Sequence, residues 1–98
     1  MITVTNDEEY LAYRKQLFEE TVLDMVEHIC EELINDPDGV QIKYTVQDKN
    51  ANMTVLVKSE KIQDILGKRN ETLIALKKLA FKVANKHEFY LVLKINEI

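Results

Sequence analysis

The strongest constraint on the fold is an apolar stripe with helical spacing that stops just before the chain's only proline. Its members recur at intervals of three and four residues: Phe18, Val22, Met25, Val26, Ile29, Cys30, Leu33 and Ile34. Acidic side chains fill most of the opposite side, which is typical of an amphipathic helix with one buried face. Pro37 disfavours helix in the preceding residue and Gly39 permits a turn, so we expect the helix to end near Asn35.

A second signal places the start of a helix near Asp7. Thr5 and Glu8 have the spacing of a capping box, and the acids from Asp7 to Glu9 favour a helix N-terminus. A second apolar set follows, made of Tyr10, Leu11, Tyr13 and Leu17. The pattern leaves open whether residues 7 to 35 form one long helix or two.

Three later segments predict strands. Residues 40–46 alternate apolar and polar side chains, and residues 53–57 follow after the polar run Gln47 to Asn52. This pattern predicts a hairpin with one half-solvated face. Residues 89–95 are almost continuously apolar, which favours a third strand in a central or two-sided position.

Two helical patterns lie between the hairpin and the last strand. Ile62, Ile65 and Leu66 indicate a short helix, and the loop Gly67 to Asn70 then interrupts the periodicity. A longer apolar set with helical spacing comes next: Leu73, Leu76, Leu79, Ala80 and Val83. The predicted order of elements is therefore α-β-β-α-α-β.

Composition excludes several classes of function. A chain of 98 residues fits one domain, and its two glycines cannot supply a dinucleotide fingerprint or a phosphate-binding loop. Cys30 is the only cysteine, and His28 points away from it on a helix, so we expect no disulfide and no metal site. No nucleophile sits beside a plausible base, and we expect neither catalysis nor a cofactor.

The first residues also lack the features of a signal peptide. Acidic residues follow Met1 to Val4 almost at once, and no apolar run approaches 18 residues. We therefore expect a protein that is neither exported nor inserted in a membrane. With a single thiol, a reducing, cytoplasmic setting fits best.

Charge is divided unevenly along the chain. Residues 1–40 hold eleven acids and two bases, whereas residues 41–98 hold eleven bases and six acids. The net charge of −4 therefore conceals a basic second half. Since the local field decides what a site attracts, the fold is able to present a basic face.

The segment from Ile65 to Leu73 resembles the loop of KH domains, in which I/V-I/L-G-x-x-G joins two helices. The order of elements makes the resemblance one to KH type II, the prokaryotic form. The segment from Leu33 to Val40 resembles the Asn-Pro-Asp-x-Val turn of small bacterial single-KH RNA-binding proteins, the KhpA-like family. The resemblance spans about Val22 to Asn96, so we expect an N-terminal helical extension over residues 1–20 and a KH-like domain over residues 21–98.

The resemblance implies an α+β fold of KH type II, with a three-stranded mixed sheet and helices on one face. It also implies a non-catalytic module that grips about four unpaired nucleotides of single-stranded RNA. Elementary physics supports such a loop, because a tight turn between helices aims N–H groups and a helix N-terminus at one point. The middle residues Lys68 and Arg69 then face phosphates.

The candidate RNA-binding residues fall into three groups. The loop supplies Gly67, Lys68, Arg69 and Asn70. An apolar groove for the bases is expected from Ile62, Ile65 and Leu66, with Val57 as a further candidate. Additional positive charge is expected from Lys77, Lys78, Lys82 and Lys86.

Asn70 departs from the family pattern, which has glycine at the fourth loop position. Asparagine tolerates left-handed backbone, and it is a good N-cap for a helix that opens with Glu71. Its side chain enters the space where the backbone and the ribose-phosphate should meet. We therefore expect a weakened or re-aimed clamp.

A different class of function remains open at this stage. On a KH scaffold that has lost RNA binding, Tyr10, Tyr13, Leu17 and Phe18 would form a surface for dimerisation or for a protein partner. The same residues also fit a helix that folds back on its own chain. The family resemblance further implies pairing as a homodimer or with another KH protein.

Overall fold

A computed structural model of the chain describes residues 7–98, so the predicted capping residues Thr5 and Asn6 lie outside the described part. The first half of this part is helical, with α1 at Asp7–Phe18, a π-helical turn at Glu19–Leu23 and α2 at Asp24–Ile34. A short 3₁₀ turn follows at Pro37–Gly39. The remaining elements are β1 Val40–Gln47, β2 Asn50–Val57, α3 Ile62–Leu66, a 3₁₀ turn at Lys68–Asn70, α4 Glu71–Lys86 and β3 Tyr90–Glu97.

Residues 7–34 form one continuous helix, which settles the question that the sequence leaves open. Phe18 and Asp24 flank the π-helical turn and Leu23 is its last residue, and all three have right-handed helical backbone angles. The helix ends at Asn35, whose backbone is left-handed and whose N–H donates to the Glu31 carbonyl oxygen at 2.8 Å. We refer to residues 7–34 as the long helix.

Gly39 has a different role from the predicted one. Its φ angle is not positive, so the turn depends on the left-handed angle of Asn35 instead. A Cβ atom on Gly39 would lie 2.8 Å from Cδ1 of Ile34 and 3.1 Å from Oδ2 of Asp36. Gly39 therefore allows the start of β1 to pack closely against the end of the long helix.

The three strands form a mixed sheet in the order β1-β2-β3, with β1 antiparallel and β3 parallel to β2. The expectation of a central or two-sided position for β3 is wrong, because β2 is the central strand. Tyr90 and Val92 of β3 are 69% and 48% exposed. In the apolar run of β3, inward-facing residues alternate with this exposed pair. Because both sets are apolar, the sequence shows no alternation that would distinguish the buried side from the exposed side.

The hairpin is longer and tighter than predicted. Asn50, Ala51 and Asn52 belong to β2, and Ala51 is buried. Only Asp48 and Lys49 connect the strands, with Asp48 in a left-handed conformation that permits the tight turn. The polar composition of residues 47–52 concealed the strand, because asparagine has a low strand propensity that pairing on both sides overrides here.

The helices cover one face of the sheet and enclose the core. Inward residues of β2 are fully or almost fully buried, together with the long-helix stripe at Phe18, Val22, Val26, Cys30 and Ile34 and with Leu76, Ala80 and Ala84 of α4. The predicted fold class is confirmed, since the chain is an α+β protein with the order α-β-β-α-α-β that characterises KH type II. No helix within residues 7–98 has the length and apolar character needed to cross a bilayer.

Arg14 attaches α1 to the rest of the molecule. Only 5% of Arg14 is exposed, and its guanidinium donates to the carbonyl oxygens of Asp48 at 3.3 Å, His87 at 3.1 Å and Glu88 at 2.9 Å. The same guanidinium lies 4.1 Å from the ring centroid of Phe89, a distance that gives a cation–π contact. One side chain thus joins the β1–β2 turn to the segment between α4 and β3.

Neighbouring residues of the long helix extend this attachment. Tyr10 donates to the Asp48 carboxylate at 3.0 Å, which raises the pKa of Tyr10. Phe18 is fully buried, and its ring packs edge to face with the Phe89 ring at 5.3 Å between the ring centroids. The Tyr44 hydroxyl donates to the Glu19 carboxylate, and this bond raises the pKa of Tyr44 to about 12.

The four residues that the sequence predicts as a docking surface differ in their contacts. Tyr10 and Phe18 contact other parts of the chain, as in a helix that folds back on its own chain, whereas Tyr13 is 59% exposed. Leu17 packs against the core. The four side chains therefore do not form one exposed surface. The predicted boundary between residues 20 and 21 stays an expectation, and the helix passes through it without a break.

We predict that Arg14→Met lowers the free energy of unfolding by about 2 to 4 kcal/mol, because a buried charged donor and its hydrogen bonds to three carbonyl oxygens are lost. Urea titration followed by circular dichroism measures the change. Lys15→Met is the matched control, since Lys15 is exposed and its loss should change stability by less than about 0.5 kcal/mol. Equal stability of the two variants would show that the attachment does not contribute.

Candidate nucleic-acid interface

Gly67 has a backbone conformation that other residues rarely adopt. Its φ and ψ are 73° and 175°, and its N–H donates to the Gln63 carbonyl oxygen at 2.8 Å, which ends α3. A Cβ atom on Gly67 would lie 2.2 Å from Oγ1 of Thr72 and 2.9 Å from its backbone nitrogen. Glycine is therefore required here both by the backbone angles and by the close approach of α4.

The loop then turns through two consecutive left-handed residues. Arg69 has φ 57° and ψ 30°, and Asn70 has φ 61° and ψ 21°. The N–H of Asn70 donates to the Gly67 carbonyl oxygen at 3.2 Å and closes the turn. Asn70 thus adopts the left-handed backbone that asparagine tolerates.

The predicted N-cap role of Asn70 is wrong. Its side chain makes no capping hydrogen bond to α4. A capping side chain normally projects from an extended backbone, and the left-handed angles of Asn70 do not provide that geometry. The first turn of α4 therefore begins without this cap, and Glu71 occupies its first position.

Cationic side chains of the loop and of α4 project into solvent. Lys68 and Arg69 are exposed, and within residues 7–98 neither makes an ion pair. Lys78, Lys82 and Lys86 are exposed on α4 at intervals of four residues, which aligns them along one side of the helix. Lys77 is half-buried and lies about 100° away from Lys78 around the helix axis. The row that continues from the loop is consequently the one that starts at Lys78.

The predicted apolar wall lies mostly inside the molecule. Val57 and Ile65 are fully buried, and Ile62 is 9% exposed. Leu66 is half-buried and packs against the edge of the core. Of the four candidates, Leu66 has the largest surface available to a base, and the base-contacting role of the others stays a prediction.

Thr72 is a residue that the sequence analysis missed. Its side chain occupies the space where Gly67 lacks a Cβ, so it fixes the distance between the loop and α4. The signal available in the sequence was its position two residues after the loop. That position alone does not distinguish it from any other residue in the first turn of a helix.

Other chemistry has little support in the described part of the chain. Cys30 is buried, and burial together with Glu31 raises the pKa of its thiol to about 11. A thiol with such a pKa is protonated at neutral pH and is a poor nucleophile. Among residues 7–98, no group of three His, Cys, Asp or Glu side chains is arranged to hold a metal ion.

Comparison with known protein families gives a match to this chain. The family model described as "KhpA/KhpB, KH domain" matches residues 23–95, about three quarters of the chain. The match includes α3, the loop and α4 in full. No curated protein and no solved structure matches the chain.

We predict opposite requirements at the two ends of the loop. Gly67→Ala should lower the free energy of unfolding by about 2 kcal/mol or more, because alanine fits neither the backbone angles nor the space beside Thr72. Asn70→Gly should change it by less than about 1 kcal/mol, since no cap is lost and glycine adopts left-handed angles readily. Thermal unfolding of both variants tests the prediction. A Gly67→Ala variant as stable as the parent protein would contradict it.

Proposed function

The chain belongs to the KhpA/KhpB family of KH domains, and we propose that it binds single-stranded RNA at the loop Gly67–Asn70. Membership makes the chain a nucleic-acid-binding module of a non-catalytic, RNA-binding kind. The finer proposal concerns where the RNA is held and how much of it. We place about four unpaired nucleotides at the loop, as KH loops clamp four backbone nucleotides.

The observation that carries this proposal is the backbone of the loop. Gly67 and Asn70 both have positive φ angles, and the hydrogen bond between them closes a tight turn at the start of α4. A turn of this shape brings the backbone of the protein close to a ligand without a bulky side chain at Gly67. Lys68 and Arg69 at its tip are exposed cations suited to phosphate oxygens.

The charge around the loop supports an anionic ligand. Between Lys58 and Lys78 the chain carries six cationic and three acidic side chains, so this segment is basic in an acidic protein. Glu71 opposes an anion at the start of α4, whereas Lys78 favours one about 10 Å further along the helix. We propose that phosphates pass over Lys68 and Arg69 and continue toward Lys78.

The Asn70 side chain adjusts this clamp rather than removing it. Asn70 keeps the left-handed backbone, and its side chain is exposed and free of the capping bond that would hold it against α4. An exposed amide is able to donate to a phosphate or a ribose oxygen. We also propose a bacterial, cytoplasmic setting, which fits the single buried free cysteine.

We predict that Lys68→Asp combined with Arg69→Asp weakens binding of an unpaired RNA oligomer by about tenfold or more, because two anions then face the phosphates. Fluorescence anisotropy measures the affinity. Stability should change by less than about 0.5 kcal/mol, because both side chains are exposed.

The matched control places the same charge reversal at Lys15, an exposed lysine of the long helix that is not among the candidate RNA-binding residues. Lys15→Asp should weaken binding much less than the single loop variant Lys68→Asp, since Lys15 lies on the long helix and not at the loop. If the loop variant binds RNA as tightly as the parent protein, the loop is not the site.

We predict weak binding that is sensitive to salt and selective for unpaired strands. Two to four phosphate contacts to a single strand give a log-log dependence of affinity on salt with a slope of about −1.4 to −2.8. Titrations at several salt concentrations measure the slope. Duplex RNA that bound as tightly as the unpaired oligomer would contradict a KH mode of recognition.

A further inference from the structure

The face of the sheet that the helices leave uncovered has an unusual composition. It consists of alternate residues of the three strands: the odd-numbered ones from Gln41 to Gln47, and the even-numbered ones from Asn50 to Leu56 and from Tyr90 to Asn96. We call this surface the open sheet face. In a chain with 17 acidic residues, it carries no aspartate or glutamate.

The polar side chains of the open sheet face include lysines and amides. The strand register places Lys43 and Lys94 on either side of Thr54, and within residues 7–98 neither lysine makes an ion pair. Asn50 and Asn52 occupy the central strand beside Tyr90 and Val92. Such a surface offers hydrogen-bond donors and acceptors around two unpaired positive charges.

Tyr90 provides a large aromatic surface at one end of this face. It is 69% exposed, and its backbone N–H donates at 2.7 Å to the carbonyl oxygen of Lys49, which brings a third cationic residue next to it. Lys94 follows on the same face about 13 Å further along the strand. The aromatic ring therefore lies between cationic positions.

We propose that the open sheet face is a second contact surface for single-stranded RNA, on which one base stacks against Tyr90. Aromatic side chains on exposed sheets stack unpaired bases, and asparagine side chains hydrogen-bond to base edges. Lys49 binds a phosphate on one side of the stacked base, and Lys43 and Lys94 bind phosphates on the other. The proposal rests on the proposed function, because it extends RNA binding beyond the loop.

Charge and composition favour RNA over other occupants. The lack of acids favours a polyanion, and the amides match the hydrogen-bonding edges of unpaired bases. A lipid surface would require more apolar area than Tyr90, Val92 and Leu56 provide. The open sheet face lies on the side of the sheet opposite to the helices, so its contribution can be separated from that of the loop by substitution.

The test compares two double variants with equal changes in composition and charge. Tyr90→Thr combined with Lys94→Glu alters the open sheet face. Tyr13→Thr combined with Lys15→Glu is the control, because Tyr13 is 59% exposed and lies with Lys15 on the long helix. Anisotropy with a fluorescein-labelled, unstructured RNA dodecamer measures affinity for the full-length protein, and circular dichroism verifies folding.

We expect the variant of the open sheet face to bind about tenfold more weakly than the parent protein and the control to bind within about twofold of it. Tyr90→Phe should bind like the parent, because the aromatic surface remains. RNA that contains 4-thiouridine should crosslink to the peptide that carries Tyr90.

Equal losses in both double variants, or no loss in either, would overturn the proposal. It would also be overturned if light scattering showed a dimer that only the Tyr90→Thr, Lys94→Glu variant dissociates, since the face would then bind a second copy. The result is independent of the loop test: unchanged binding by the Lys68→Asp, Arg69→Asp variant would reject the proposed function, whereas unchanged binding by the variant of the open sheet face would reject only this inference.

Discussion

The parallel pairing of β2 and β3 is the constraint on which the candidate site depends. A strand cannot return parallel to its neighbour through a tight turn, so the chain must cross back over one face of the sheet. Here α3, the loop and α4 form that crossover, and α4 buries Leu76, Ala80 and Ala84 against the sheet. The break between the two helices is placed at one end of the sheet as a consequence. The loop is therefore held by the topology as well as by its own sequence.

Within the crossover, the shape of the loop depends on backbone angles rather than on two identical glycines. Any side chain at Gly67 would clash with Thr72, so the first position of the loop requires glycine. Asn70 has the left-handed backbone that the fourth position requires, and its side chain makes no capping hydrogen bond to α4. The departure from the G-x-x-G pattern thus preserves the backbone conformation of the loop and changes only the side chain at its fourth position. This separation explains how a family match over residues 23–95 coexists with a loop that lacks the second glycine.

Local patterns in the sequence predicted the order of the elements and the end of the long helix, and they indicated that Asn70 tolerates a left-handed backbone. Those features depend on periodicity and on the conformational preferences of single residues. The edge position of β3 was not predictable in this way, because an apolar run does not reveal which strand lies beside it. Arg14 was missed for a related reason: its hydrogen-bond acceptors at Asp48, His87 and Glu88 are distant in sequence and are backbone carbonyl oxygens, which leave no trace in side-chain patterns.

The charge that is uneven along the sequence is also uneven across the elements of the fold. Most acids of the first forty residues lie on the long helix, whereas the loop, α4 and the open sheet face carry most of the exposed cations. Of the two basic residues in the first forty, Arg14 is buried and directed at the carbonyl oxygens that follow α4. A positive charge at that end of α4 interacts favourably with the helix dipole, and the opposite end of the same helix faces the loop. One helix therefore has its carboxyl end attached to the acidic long helix by Arg14 and its amino end directed at the proposed phosphate site.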